Sequence, residues 1–209
     1  MIKYPVLLAL ISAASLNGQP VQFGIKGGAA LLGTLPYGED ESKAYNVGPS
    51  VEFRLGKGFA IEGDALYQRV GQSSGFNFTV QSGPSIIPLT GANFSRMRGN
   101  SWQFPILAKR YLRPRSSAWQ PFASLGPSIR HVGYQYDDSE IIIDPAGVKN
   151  YGGHSETGNW SIGATGAVGA RLQRGRIAIT PEFRFTRWAQ NNGSMLSRNA
   201  AHMLVGLSF

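Results

Sequence analysis

Cysteine is absent from this chain of 209 residues. That excludes a disulfide scaffold and any cysteine-ligated metal. Charge is sparse, at 15% of residues. Long helical periodicities are missing, and no apolar run approaches the roughly 20 residues of a membrane-spanning helix. Acidic residues are short too, 12 against 20 Lys plus Arg, for a formal charge of +8. The basic excess does not suit nucleic acid, because the arginines are scattered and no run interleaves them with stacking aromatics. Much of it falls in short turns, at Lys57, at Arg110, Arg113 and Arg115, and at Arg174 and Arg176.

What is present in quantity is glycine, at 27 residues, with short alternating segments that favour an all-β protein. Residues 1–19 read as a secretory signal. Lys3 supplies the positive start, Val6 to Ala14 is a short apolar run, and small or polar residues follow. The expected organisation is a signal peptide over 1–19 and one domain over 20–209. An exported chain without an apolar helix can cross a membrane only with strands.

The clearest stretch runs from Trp160 to Trp188. Ile177, Ile179, Phe183 and Phe185 share one face, and Thr180, Glu182, Arg184 and Thr186 share the other. Ile162, Ala164, Val168, Ala170 and Leu172 alternate likewise against Gly163, Thr165, Ala167, Gly169 and Arg171. A two-residue turn at Arg174-Gly175 predicts Leu172 opposite Ile177, Ala167 opposite Glu182 and Thr165 opposite Arg184. Apolar then meets apolar, and long charged side chains lie across from small ones.

Eight strands are expected, over 21–32, 45–55, 59–70, 102–111, 120–133, 159–173, 176–188 and 199–209. Most are near the about 9–11 residues of a tilted membrane strand. Short connections (56–58, 112–119, 174–175) alternate with long loops (33–44, 71–101, 134–158, 189–198). An even strand count with short turns at one end and long loops at the other predicts a closed antiparallel up-and-down transmembrane β-barrel of eight strands. Residues 76–81 alternate and can pair with 86–89, which leaves ten strands open.

Parity carried outward from the turns lists a polar face. It holds Lys26, Glu52, Arg54, Glu62, Asp64, Gln68, Gln103, Lys109, Arg171, Glu182, Arg184 and His202. The charges nearly balance, as a closed low-dielectric lumen requires. A three-residue turn sets Glu62 opposite Glu52, so a cation such as Arg54 or Lys109 is needed between them. The opposite face carries Phe23, Ile25, Phe53, Ile61, Ile106, Val205 and Phe209. Aromatics gather in two girdles: Tyr45, Tyr67, Trp102, Trp160 and Trp188 near the long loops, and Phe23, Phe59, Tyr111, Trp119, Phe122 and Phe209 near the short turns. Pro49, Pro105, Pro127 and Pro181 fall inside strands, which counts against central strands unless bulges or points where the ladder is already broken absorb them. Gly48-Pro49-Ser50 and Gly126-Pro127-Ser128 echo each other.

The chain resembles the small bacterial outer-membrane β-barrel family, close in plan to the eight-stranded outer-membrane protein A type and the porin-like barrels grouped with it. The likeness rests on the signal, Gly24-Ile25-Lys26-Gly27-Gly28, 47–55 with 59–67, 102–109, 122–128, and the ending His202-Met-Leu-Val-Gly-Leu-Ser-Phe209. It implies residence in the bacterial outer membrane among outer-membrane lipid and lipopolysaccharide. It also implies a monomer, and a C-terminal Phe209 that resembles the signal read by the barrel-assembly machinery. The expected role is structural or surface-interactive, through long extracellular loops and without a wide pore. A narrow porin-like channel, or an enzyme modifying lipid A, is the alternative. Arg69 and Arg187, at the long-loop end, are expected to meet lipopolysaccharide phosphate, which suits arginine.

No catalytic residue, metal ligand set or cofactor motif is identified. His131, His154 and His202 are too far apart for a histidine metal motif. His154-Ser155-Glu156 collects catalytic residue types, but sequence neighbours do not make a triad. The acidic run Asp137, Asp138, Glu140 and Asp144 fits no calcium loop.

Overall fold

A computed structural model describes residues 21–34, 39–80, 89–144, 147–175, 177–190 and 196–209. The signal segment lies outside these, as do Arg176 and most of 81–89. The strands are β1 (Val21–Thr34), the two-residue β2 (Glu39–Asp40), β3 (Tyr45–Gly56), β4 (Phe59–Asp64), β5 (Leu66–Val80), β6 (Leu89–Tyr111), β7 (Trp119–Asp144), β8 (Gly147–Arg174), β9 (Ile177–Trp188) and β10 (Leu196–Ser208). β4 and β5 are one stave interrupted at Ala65, and β2 is a short addition to β5. Eight staves therefore run antiparallel in chain order, and β1 pairs with both β3 and β10, which closes the ring. Closure removes every edge at membrane depth, where an unpaired backbone group has no water to bond.

Residues 76–80 add no further staves. They continue β5 and pair with the start of β6, out to Val80 opposite Leu89. The expected loops 71–101 and 134–158 are likewise largely strand, with β7 and β8 pairing out to Asp144 opposite Gly147. The alternation of Phe76 and Phe78, and of Ile141 and Ile143, extends both hairpins. β5 to β8 thus rise past β1, β9 and β10 as a raised sheet.

The turn between β8 and β9 differs from expectation by one position. Arg174 pairs with Ile177, so Gly175 is the first loop residue, with φ 64. That is the left-handed conformation that primed hairpin turns need and glycine supplies. All partners shift by two: Leu172 meets Ile179, Ala167 meets Arg184 and Gly169 meets Glu182. Because the shift is even, both faces are preserved.

The prolines sit where the ladder is interrupted. Pro49 lies beside the break at Ala65, whose N–H donates to the Pro49 carbonyl at 3.0 Å. Pro127 lies where the β6–β7 ladder skips Ile106 and Leu107. The preceding glycines permit this close approach. A Cβ on Gly48 would stand 1.8 Å from the Ala65 carbonyl oxygen, and one on Gly126 2.0 Å from that of Ile106.

Along β9 exposure alternates without exception. Ala178, Thr180, Glu182, Arg184, Thr186 and Trp188 are buried; Ile177, Ile179, Phe183 and Phe185 are exposed. The inside of the cylinder is polar and the outside apolar, the inverse of a water-soluble barrel.

Candidate functional site: the charged lumen

The inward positions of β1, β3, β4, β6 and β9 converge on one ionic cluster. Lys26 donates to Glu62, to Asp64 at 3.3 Å and to Glu182 at 3.0 Å. Arg184 bonds Glu182 through Nε at 2.7 Å and Asp64 through Nη2 at 2.8 Å. Lys109 reaches Glu62, and Glu52 at 3.1 Å. Arg54 bonds Glu52 at 2.9 Å, and the Tyr111 hydroxyl donates to the same carboxylate at 2.7 Å. Lys26, Arg54, Lys109 and Arg184 against Glu52, Glu62, Asp64 and Glu182 make four charges of each sign, all buried. Removing any one of these charges leaves the buried set with one uncompensated charge of the opposite sign.

Toward the short turns, Arg171 donates to Gln22 at 2.6 Å and Ser208 at 3.3 Å. Between these and the main cluster lies a cavity of about 20 Å³, lined by Lys26, Glu52, Glu62, Lys109 and Arg171 among others. That is room for about one water. Toward the long loops, Ser128, Thr165 and Thr186 form a hydroxyl chain at 2.5 and 2.8 Å. Above it Val70, Val132, Tyr134 and Leu196 pack as a small apolar layer.

Several inward residues escaped the sequence reading. Arg130 is 1% exposed; its guanidinium lies 4.4 Å from the centre of the Trp188 ring and its Nε donates to Ser161 at 3.2 Å. Trp188, Tyr111 and Phe122 were expected in the aromatic girdles, and all three are buried inside. Lys109 stands over the Phe122 ring at 4.2 Å, and Arg54 over Tyr111 at 4.5 Å. Parity held the signal. Trp188 matches Arg184, Tyr111 matches Lys109, and Arg130 and Phe122 match Gln120. Nearness to a strand end had outweighed it.

The outward arginines occupy different surroundings. Arg187 and Arg198 border an apolar hollow with Ile129, Ile162 and Ala164. Arg69 borders a polar one with Arg98, Asn100 and Glu156. Of the histidines, His202 faces the lumen and His131 packs on Trp160 with ring centres 4.4 Å apart. His154 hydrogen-bonds Asp137 at 2.7 Å and approaches Glu156 at 3.7 Å on the raised sheet. Strand alternation points Ser155 to the other face, so these neighbours form no triad. Among the described residues no group of three or more His, Cys, Asp or Glu is placed to hold a metal.

A closed ring of eight staves with enclosed ion pairs and an apolar exterior is joined by a direct family match. The model of the outer membrane protein beta-barrel domain matches residues 14–187. The chain belongs to that family. As a member of it, the protein resides in the bacterial outer membrane; barrels of this kind carry short turns on the periplasmic side and longer loops outside. Among solved structures it is similar to Neisserial surface protein A, at 10% identity over 92% of this chain and 98% of that one, with a TM-score of 0.55. It is also similar to the N-terminal barrel of Pseudomonas aeruginosa OprF, at 11% identity over 90% and 96% with a TM-score of 0.45. The Yersinia pestis attachment invasion locus protein Ail matches at 8% identity over 91% and 97%, with a TM-score of 0.41. No curated protein matches the chain.

Proposed function

We propose that this family member is a monomeric envelope protein that presents its raised sheet for surface interaction and carries no wide pore. The observation that supports this is the lumen. Eight staves leave an interior that side chains just fill, and here the filling is a network of ion pairs spanning five strands. Planar-bilayer recording tests the reading. No discrete conductance step is expected, and steps of regular size at neutral pH would replace it with a narrow channel. Replacing the part of β7–β8 between Gly133 and Gly158 by a short turn should leave the barrel folded and remove adhesion of intact cells to protein-coated surfaces. Unchanged adhesion would sink the surface role.

The same reading assigns partners. Arg69 and Arg187 face outward at the long-loop end and take lipopolysaccharide phosphate, and Phe209 takes the assembly machinery. Arg187 has the better surroundings for a lipid, with Arg198 beside it and apolar side chains below. Charge reversal at Arg187 is expected to lower lipopolysaccharide retention more than reversal at Arg69, whose hollow also holds Glu156. Equal retention in both variants and the wild type would remove the assignment.

A further inference from the structure

The basic excess of the chain concentrates at the short-turn end. Arg54, Lys57, Arg110, Arg113 and Arg115 line one hollow of about 670 Å³, and among the described residues no carboxylate lines it. Glu52 neutralises Arg54 from the lumen side at 2.9 Å. Among the described residues, four cations therefore remain without a carboxylate at this surface. Such crowding of like charge opposes folding unless something negative occupies the space.

The hollow is built rather than incidental. Gln120, fully buried, donates its amide to the carbonyls of Arg115 at 2.8 Å and Ser117 at 2.9 Å. The Ser117 N–H bonds Pro114 at 3.0 Å. Those bonds fix the turn that carries Arg113 and Arg115. Arg110 donates to the Lys57 carbonyl at 2.7 Å, and so ties the second turn to the same rim. Lys57 itself sits at φ 50 between two glycines in left-handed conformations.

Its depth follows from the aromatics. The Arg110 guanidinium lies 4.2 Å from the centre of the Phe59 ring, and that of Arg113 4.6 Å from the centre of the Trp119 ring. Both rings face outward, exposed at 51% and 44%. Rings of this kind at barrel ends sit at headgroup level. Leu55 and Leu112, also lining the hollow, are exposed beside them. Cations and apolar side chains thus share one cavity where lipid headgroups meet acyl chains, which is the chemistry of an acidic-lipid site.

We propose that this hollow binds the headgroup of an anionic glycerophospholipid of the inner leaflet, with the phosphodiester held by Arg113, Arg115 and Lys57. The proposal rests on the outer-membrane placement of the short turns. A zwitterionic headgroup is disfavoured because it brings an ammonium against four cations.

The test uses the full-length chain folded in neutral detergent and titrated separately with phosphatidylglycerol, phosphatidylethanolamine and inorganic phosphate. Native mass spectrometry counts bound lipid, and heat-modifiable gel migration reads the folded fraction. One phosphatidylglycerol should be retained and should raise the unfolding temperature, while phosphatidylethanolamine should do neither. Arg113→Gln with Arg115→Gln should weaken retention by about 5-fold per arginine. Arg174→Gln, on the separate β8–β9 turn, should leave it unchanged, as a control for net charge. Lys57→Gln serves if the double variant fails to fold. Equal binding of phosphatidylethanolamine, an equal loss in Arg174→Gln, or saturation of the same site by phosphate alone would overturn the proposal. A chain that shows no heat-modifiable folded form would instead count against the barrel reading on which it rests.

Discussion

Glu52 and Glu62 stand directly opposite each other on β3 and β4, and Lys109 bonds both carboxylates from β6. Two like charges in that register repel, so the ammonium is what makes the hairpin compatible with a dry interior. Lys109→Met should destabilise the barrel, by less than the about 3–5 kcal/mol of a buried charge left wholly unpaired, because Glu52 keeps Arg54 and Glu62 keeps Lys26. Adding Glu52→Gln should recover part of that loss. Urea unfolding in micelles, followed by tryptophan emission, measures both. Additive losses in the double variant would refute the coupling.

The Gly-Pro-Ser echo carries a steric prediction. Gly48 and Gly126 each lie against the carbonyl of a neighbouring strand, where a Cβ would stand at 1.8 and 2.0 Å. Backbone cannot yield as a flexible side chain can. Gly48→Ala or Gly126→Ala should cost about 2 kcal/mol or more. Gly133→Ala meets nothing within 4 Å and should be close to neutral. Folded fractions on unheated gels compare the three; equal losses would show that backbone crowding is not the cause.

How far the sequence carried these features follows from what a period of two can encode. It assigns faces, so Glu182 and Arg184 inside and Phe183 and Phe185 outside were legible, as were the eight staves. Partners across the lumen are another matter. Lys26 and Glu182 are far apart in the chain and meet only because the ring closes. The β8–β9 turn slipped by one position because Arg174-Gly175 and Gly175-Arg176 both preserve the faces, and only the conformation of Gly175 separates them. Tyr111, Phe122 and Trp188 were misplaced because an aromatic near a strand end suits either a girdle or a ring over a buried cation. The long hairpins were only partly legible: alternation survives beyond the membrane at Phe76 and Phe78 and at Ile141 and Ile143, while β8 from Gly147 to Trp160 is exposed at every position and carries no such signal.

The lipid-facing side yields a sharper contrast. Phe185 is exposed on β9, next to the buried Arg184. Phe185→Arg places a charge against hydrocarbon and should cost about 2–4 kcal/mol, falling toward zero nearer the interface. The same change in a soluble barrel of opposite orientation would bury the new charge in its core. Unfolding in micelles and in short-chain vesicles measures the cost. A neutral result in the vesicles would argue that Phe185 does not contact the acyl chains.

On the raised sheet, pH should act through His154. The hydrogen bond that its Nδ1–H donates to the Asp137 carboxylate, aided by the Asp137 and Glu156 charges, raises its pKa above the ordinary histidine value. A raised folded-state pKa means the protonated imidazole favours the paired β7–β8 hairpin. That contribution is fully present below the unfolded value and disappears as pH climbs through the folded one. Amide exchange near Asp137 and His154 should therefore quicken more than intrinsic base catalysis predicts as pH rises across that window, while the membrane-embedded staves stay protected. Asp137→Asn removes the leading cause, so the histidine should titrate closer to its ordinary value and the extra quickening should vanish. A His154 ring titration by NMR at the same midpoint in both proteins would mean that the contact does not hold in solution.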